Sequence, residues 1–311
     1  MRLVAPLVAA VLVAALALFP LADANTYVLS VATIAFIYVI LAVGLDLVFG
    51  YCGQYSFAQA AFYGIGGYTA AILYRDLGWS IWATLPAGIV VAGAFGLLLG
   101  VPALRVAGHF LAIVTIAFQT IVYLLLSSWT SFTGGQYGIT VPRIEPFAAF
   151  GATREAGFYW LTLVAATLAV LLAWRLATSR IGKEWQAVRD DELLARAIGL
   201  DTVRAKLVAF VASAAFAGAA GVLIVYYLEG AYPADFAILT SATIIAMMIV
   251  GGRASIVGPI LGAIAFTAMP EVLRATEDYR LIIYGTLMIL AMTFIPGGIV
   301  GLVRTLAERR T

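Results

Sequence analysis

The stretch GYCGQYSFAQAAFYGIGGY, residues 50–68, holds five glycines, two glutamines and a serine within nineteen positions of an otherwise apolar chain. The apolar run before it, 28–49, is long enough to span a bilayer, for which about 20 residues suffice. Lipid cannot form hydrogen bonds with an irregular backbone, so glycine-rich chain at membrane depth must be buried in protein or line a wet cavity. The stretch therefore predicts a broken helix, with residues 50–56 facing the interior of a membrane protein.

The composition also indicates an integral membrane protein. Of the 311 residues, 64% are hydrophobic and 11% are charged, whereas a soluble domain carries about 25% charged residues. The net charge of +2 is too small to indicate nucleic-acid binding. The sequence has one cysteine, Cys52, and one histidine, His109, which excludes an internal disulfide and a catalytic or structural zinc site. We therefore predict no enzyme activity, no cofactor and no metal.

Apolar runs of spanning length recur along the whole chain. The ten candidates are 3–21, 28–49, 56–74, 80–101, 109–128, 158–176, 207–228, 240–252, 255–271 and 281–296. The third, eighth and ninth are short or interrupted by glycine, which indicates tilted helices, half-helices or re-entrant segments. The predicted fold is an all-α integral membrane bundle of about ten helices, forming a single transmembrane domain over 1–311. Residues 1–24 are either a retained first helix, which the long apolar run favours, or a cleaved signal peptide.

The orientation follows from the lysines and arginines, which concentrate on the cytoplasmic side of membrane proteins. The stretch 175–206 carries seven of them: Arg175, Arg180, Lys183, Arg189, Arg196, Arg204 and Lys206. This predicts a cytoplasmic segment at about 177–206. With ten spans, both termini are then cytoplasmic, N-in and C-in, and the loop at about 129–157 lies on the outer side.

Polar side chains near the broken stretch are the candidates for a solute pathway. Asp46 lies one turn before the break, and a charge at such depth is costly and usually faces a cavity. A second passage, IVGGRASIVGPILGAIAF (249–266), is also short and glycine-interrupted, and such paired segments point to a transport path. Structural hydrogen bonding inside the protein is the alternative role. The candidates are Asp46, Gln54, Ser56, Gln59 and Ser255.

Small residues also recur at a spacing of four along three predicted helices. The stripes are 56/60/64, 213/217/221 and 258/262. Stripes of this kind let two membrane helices approach closely without any solute nearby. We therefore assign the stripes to helix packing.

The segment GKEWQAVRDDELLARAIGLDTVRAK, 182–206, predicts an amphipathic helix over 184–198 that ends at Gly199. Trp185, Val188, Leu194, Ala195 and Ile198 fall near one face of that helix, opposite charges of both signs. Mixed charge with an apolar stripe suits docking into a groove of another protein, and a helix lying on its own protein is the alternative. The chain has no G-x-x-x-x-G-K-S/T loop, so any use of ATP belongs to a separate subunit. The predicted docking residues are Glu184, Arg189, Asp190, Glu192, Arg196 and Gly199.

Three runs, in order, resemble the permease subunits of bacterial branched-chain amino-acid importers of the ATP-binding-cassette type. The runs are GLDLVFGYCGQYSFAQAAFYGIGGYTAAIL (44–73), RDDELLARAIGLDTVRAKLVAFVASAAFAGAAG (189–221) and TSATIIAMMIVGGRASIVGPILGA (240–263). Of the two permease types in that family, the M-type is the nearer. The family usually has Asn at the position of Asp46 and His at the position of Gln59.

The resemblance implies a permease in the bacterial inner membrane that pairs with a second, similar permease amid membrane lipid. It further implies two ATP-binding subunits on the cytoplasmic side, a soluble solute-binding protein in the periplasm, and branched-chain or related amino acids as the substrates. Segment 184–199 would be the helix that receives the movement of the ATP-binding subunits. Two alternatives stay open: a permease for urea, aromatic acids or other small amides, and an ion-coupled carrier with Asp46 as its main titratable group.

Overall fold

The computed structural model describes residues 15–20, 25–103, 109–147, 153–272, 285–286 and 298–301, and these residues are mostly helical. In chain order, the helices are α1 (residues 15–20), α2 (Thr26–Asp46), α3 (Gln59–Leu77), α4 (Ile81–Ala103), α5 (His109–Ser128), α6 (Thr130–Thr133), α7 (Arg154–Thr178), α8 (Arg180–Asp190), α9 (Glu192–Ala197), α10 (Thr202–Tyr227), α11 (Ile238–Gly251) and α12 (Val257–Val272). Helix α2 continues into a π-helical turn, Leu47–Tyr51. The strands are β1 (Ile139–Thr140) and β2 (Gly230–Ala231).

Several of these helices are long and apolar enough to cross a membrane. Within the described ranges, five segments qualify: Thr26–Tyr51, Ile81–Val101, Phe110–Ser128, Arg154–Thr178 and Thr202–Tyr227. The prediction of an all-α membrane protein is confirmed. Of the three spans predicted to be short or interrupted, the eighth and ninth are short helices, α11 with 14 residues and α12 with 16 residues. The third is α3, which has 19 residues. Most of 3–21 and nearly all of 281–296 lie outside the described residues.

Helix α10 lies at the centre of the bundle, where it packs against α2, α3 and α4. Glycines allow its backbone to touch those of its neighbours. A Cβ atom on Gly221 would meet the carbonyl oxygen of Tyr63 and lie 2.7 Å from the backbone nitrogen of Gly67, both in α3. A Cβ atom on Gly218 would lie 2.6 Å from the carbonyl oxygen of Gly88 in α4. The packing role predicted for the stripe that includes Gly221 is therefore confirmed at that residue.

The helical structure is interrupted between α2 and α3, as residues 50–68 predict. Residues 52–58 are not helical, so α3 begins at Gln59, three residues later than the predicted span. The second glycine-interrupted passage forms the hairpin of α11 and α12, and α2 packs against both of these helices. In this hairpin a Cβ atom on Gly262 would meet the carbonyl oxygen of Met247, so the two helices touch through their backbones.

The end of the bundle opposite α8 and α9 is held together by the two short strands. Strands β1 and β2 pair antiparallel, with Ile139 opposite Ala231. The Arg154 guanidinium donates to the carbonyl oxygen of Tyr227 at 2.7 Å and forms an ion pair with Glu229 at 3.0 Å. These contacts attach the segment between α5 and α7 to the end of α10.

Candidate functional site

The start of α3 lies inside the protein, where water cannot satisfy its first backbone N–H groups. Side chains take that role instead. The N–H of Ala58 donates to Ser56 Oγ at 3.3 Å, and the N–H of Ala60 donates to Ser241 Oγ of α11 at 2.9 Å. Ser56, a predicted pathway residue, thus helps to begin the helix after the break.

The two predicted pathway glutamines are both buried and hydrogen-bonded within the chain. Gln59 Nε2 donates to the carbonyl oxygen of Leu41 at 3.1 Å, and Gln59 Oε1 accepts from Ser213 Oγ at 2.9 Å. Gln59 therefore joins α2, α3 and α10. Gln54 Nε2 donates to the carbonyl oxygen of Cys52 at 3.2 Å, within the broken stretch itself.

Helix α5 contributes polar groups that the sequence reasoning missed. Gln119, which is fully buried, donates to the carbonyl oxygen of Phe236 at 2.8 Å and accepts from Ser241 at 3.5 Å. Thr115 Oγ1 accepts from the backbone N–H of Phe57 at 3.0 Å. A glutamine in the middle of an apolar span is costly unless it is paired, and that signal would have found Gln119 from the sequence.

Asp46 and Ser255 are brought together although they lie 209 positions apart. The buried Asp46 carboxylate accepts hydrogen bonds from the backbone N–H groups of Ala254, at 2.8 Å, and Ser255, at 3.2 Å. Ser255 Oγ in turn accepts from the N–H of Gly258 at 3.3 Å, at the beginning of α12. These bonds connect the end of α2 to the loop between α11 and α12.

Helix α8 lies against the same π-helical turn that follows Asp46. Arg189 Nη1 donates to the carbonyl oxygen of Gly50 at 3.2 Å, and Arg189 also pairs with Asp190 at 3.0 Å. The stem of Arg189 covers Gly53, where a Cβ atom would lie 2.7 Å from Arg189 Cγ. The predicted docking residue Arg189 therefore contacts the broken stretch itself.

The prediction of a single amphipathic helix over 184–198 is wrong. Helix α8 ends just before Asp191. The Asp191 carboxylate accepts a hydrogen bond from the N–H of Leu194 at 3.0 Å and so begins a separate helix, α9. The predicted apolar face also divides. Trp185, Val188 and Ala195 are buried against the chain itself, whereas Leu194 and Ile198 are exposed.

Gly199 ends α9 as predicted. It has a φ of 87°, and the N–H of Leu200 donates to the carbonyl oxygen of Ala195 at 3.0 Å, which forms a Schellman motif. Asp201 then caps α10 by accepting from the N–H of Arg204 at 3.0 Å. The Trp185 indole donates to the carbonyl oxygen of Ala205 at 2.8 Å. Helices α8 and α9 are therefore held firmly on the start of α10.

Glu192, another predicted docking residue, makes its contacts within the chain. Its two carboxylate oxygens meet Arg196 at 2.5 Å and Lys206 at 2.6 Å, and the Lys206 side chain is only 3% exposed. Burial raises the pKa of Glu192, but hydrogen bonds and charges of Lys206 and Arg196 outweigh it and hold that pKa below its ordinary value. Of the other predicted docking residues, Glu184 is half-buried on α8 and Asp190 is exposed.

Three apolar side chains on and beside α9 point away from the chain. Leu193, Leu194 and Ile198, here called the α9 patch, are 77%, 60% and 69% exposed. The patch lies within the segment 175–206, which carries seven cations. This exposure makes the α9 patch a candidate interaction surface.

The comparisons of this chain with protein families and with individual proteins agree with one another. The family described as "Branched-chain amino acid transport system / permease component" matches residues 27–292. The high-affinity branched-chain amino acid transport system permease protein LivM of Salmonella typhimurium is 36% identical over 299 residues, covering 88% of this chain and 70% of LivM. LivM of Escherichia coli K12 is 36% identical over 297 residues, with the same shares covered.

LivH of Escherichia coli K12 is 26% identical over 290 residues, covering 86% of this chain and 92% of LivH. No solved structure matches the chain. The family match covers most of the chain, and the LivM relatives are more similar to it than this LivH relative. The chain therefore belongs to the permease components of branched-chain amino acid transport systems, and is of the M-type.

Proposed function

We propose that the chain is the M-type permease subunit of an ATP-binding-cassette importer that moves branched-chain or related amino acids across the bacterial inner membrane. The observation that carries the proposal is the family match over residues 27–292, together with 36% identity to LivM over 88% of the chain. Five apolar helices of spanning length support the multi-pass location. In this proposal residues 1–311 form one transmembrane domain.

The importer needs partners, since the chain carries no phosphate-binding loop of its own. A second permease, two ATP-binding subunits and a periplasmic solute-binding protein complete the proposed assembly. The similarity of this chain to both LivM and LivH proteins supports pairing with a second, related permease. The cations of 175–206 support a cytoplasmic location for α8 and α9, with both termini on that side and the loop at about 129–157 in the periplasm.

The α9 patch is the proposed contact with an ATP-binding subunit. Its three side chains are exposed, while Trp185 and Glu192 fix α8 and α9 to the start of α10. Because α9 is fixed in this way, a movement of the bound subunit would displace the helix as a whole instead of bending it. The docking role proposed for 184–199 thereby centres on the exposed apolar residues rather than on the charged ones.

The proposed solute pathway borders the broken stretch between α2 and α3. Gln54, Ser56, Gln59 and Ser255 are neutral groups that can donate and accept hydrogen bonds, so they suit both the ammonium and the carboxylate of an amino acid. Asp46 adjoins this group through its bond to Ser255. Because the four neutral groups also bond within the chain, a solute would exchange with those internal partners as it passes.

Replacing Leu193 and Ile198 together by aspartate tests the docking surface. We expect association with the ATP-binding subunits to weaken at least about tenfold, because buried apolar anchors dominate interface energies and a charge there must be desolvated. The measurement is the amount of ATP-binding subunit that co-purifies with the permease pair at a series of concentrations.

Tyr137→Asp provides the matched control, since Tyr137 is 91% exposed and precedes β1 at the opposite end of the bundle. The control should retain association at the level of the unmodified chain. Equal association of the unmodified chain and the α9 patch variant would contradict the proposed docking surface.

A further inference from the structure

Asp46 stands out among the described residues as the one buried carboxylate. Its two oxygens hold the N–H groups of Ala254 and Ser255, which are consecutive in the chain. The loop that carries these N–H groups has positive φ angles, 123° at Gly252 and 55° at Ala254. A non-glycine residue at such a φ is strained, and strain of this kind persists where the surrounding structure imposes it.

The π-helical turn after Asp46 is contacted by α8 on another side. Arg189 donates to the carbonyl oxygen of Gly50, and its stem covers Gly53. One short turn is therefore attached both to α8 and, through Asp46, to the loop between α11 and α12. A displacement of α8 cannot leave that loop in place unless one of these contacts breaks.

We propose that Asp46 is the positioning residue that transmits the movement of α8 to the hairpin of α11 and α12. The inference rests on the proposed function, in which an ATP-binding subunit contacts the α9 patch and so moves α9 together with α8, which directly precedes it. Two backbone hydrogen bonds to one carboxyl group connect the end of α2 to the loop, and the α11–α12 hairpin, held by backbone contact at Gly262, moves as a unit. Helix α2 packs against both helices of the hairpin and so carries the connection into the bundle.

The bond between Asp46 and Ala254 requires a glycine at position 50. A Cβ atom there would meet Asp46 Oδ1 and lie 2.5 Å from the backbone nitrogen of Ala254. Gly50→Ala therefore displaces the Asp46 carboxyl group from Ala254 without removing that group. It offers a second way to break the connection, independent of any substitution at Asp46.

The experiment compares Asp46→Ala, Asp46→Asn and Gly50→Ala in the complete assembly, reconstituted in vesicles with its solute-binding protein. Amino acid uptake and ATP hydrolysis are measured in the same vesicles and expressed as solute moved per ATP. We expect Asp46→Ala and Gly50→Ala to lower this ratio at least about fivefold, the lower range of coupling between sites. Asp46→Asn keeps one acceptor oxygen and should recover part of the ratio.

Thr33→Val is the control, because Thr33 is buried in the same helix and bonds only to the Leu29 carbonyl oxygen one turn earlier. It should leave solute moved per ATP unchanged. A merely structural role for Asp46 would lower uptake and hydrolysis in proportion, with the ratio constant, and that result would overturn the inference. If the unmodified assembly shows no ATP-driven uptake, the proposed function fails instead.

Discussion

Replacing Glu192 by alanine is expected to destabilise the protein by about 3 kcal/mol, because the buried ammonium group of Lys206 loses its partner. The Lys206 side chain is 3% exposed and that of Glu192 is 26% exposed, so the expected loss is at the lower end for a buried pair. The loss of the Arg196 contact adds little, since that side chain is 54% exposed. The measurement is the thermal unfolding of the purified permease in detergent.

A second substitution separates an unpaired charge from lost packing. Lys206→Met in the Glu192→Ala background removes the buried charge while keeping a similar apolar volume, and should recover most of the lost stability. If the double variant is no more stable than Glu192→Ala, the unpaired charge of Lys206 is not the cause of the lost stability. The result also affects how Glu192 variants are interpreted in docking experiments. A change at Glu192 destabilises the chain itself, apart from any effect on a partner.

Replacing Gly221 by alanine is expected to destabilise the bundle by about 3 kcal/mol, because the added methyl group has no space. Its Cβ atom would meet the carbonyl oxygen of Tyr63 and lie 2.7 Å from the nitrogen of Gly67. Both are backbone atoms in a helix, so α3 and α10 must separate. Thermal unfolding in detergent measures the change.

Gly93→Ala is the matched control for this prediction. The nearest atom to a Cβ at Gly93, Val211 Cγ1, would be 3.8 Å away, which is ordinary contact. Because alanine also favours a helix by roughly 0.5–1 kcal/mol over glycine, the control should be neutral or more stable. Equal stability of the two variants would show that α3 and α10 do not depend on backbone contact.

The membrane fold and the broken helix could be predicted from the sequence because both depend on local composition. Residues 50–56 have too many glycine and polar residues for a lipid-facing helix, and the structure places residues 52–58 outside any helix. The packing role of Gly221 was likewise visible, because small residues recur at a spacing of four positions at 213, 217 and 221. Signals of this kind need no knowledge of which helices are neighbours.

The break at Asp191 was not predicted, for a physical reason. On a helical wheel Asp191 adds one more charge to a polar face, whereas in the structure it caps α9. The bonds of Asp46 to Ala254 and of Gln119 to Phe236 join residues 208 and 117 positions apart. Such pairs depend on the tertiary arrangement, so the sequence marks Asp46 as unusual but does not name its partner.

We propose that this chain is a transmembrane permease driven by ATP hydrolysis in separate subunits. The most direct test measures uptake of a labelled branched-chain amino acid into vesicles holding either the complete assembly or this chain alone. We predict uptake by the complete assembly only when ATP and the solute-binding protein are supplied, and none by the isolated chain under a proton or sodium gradient. Gradient-driven accumulation by the isolated chain would contradict the claim.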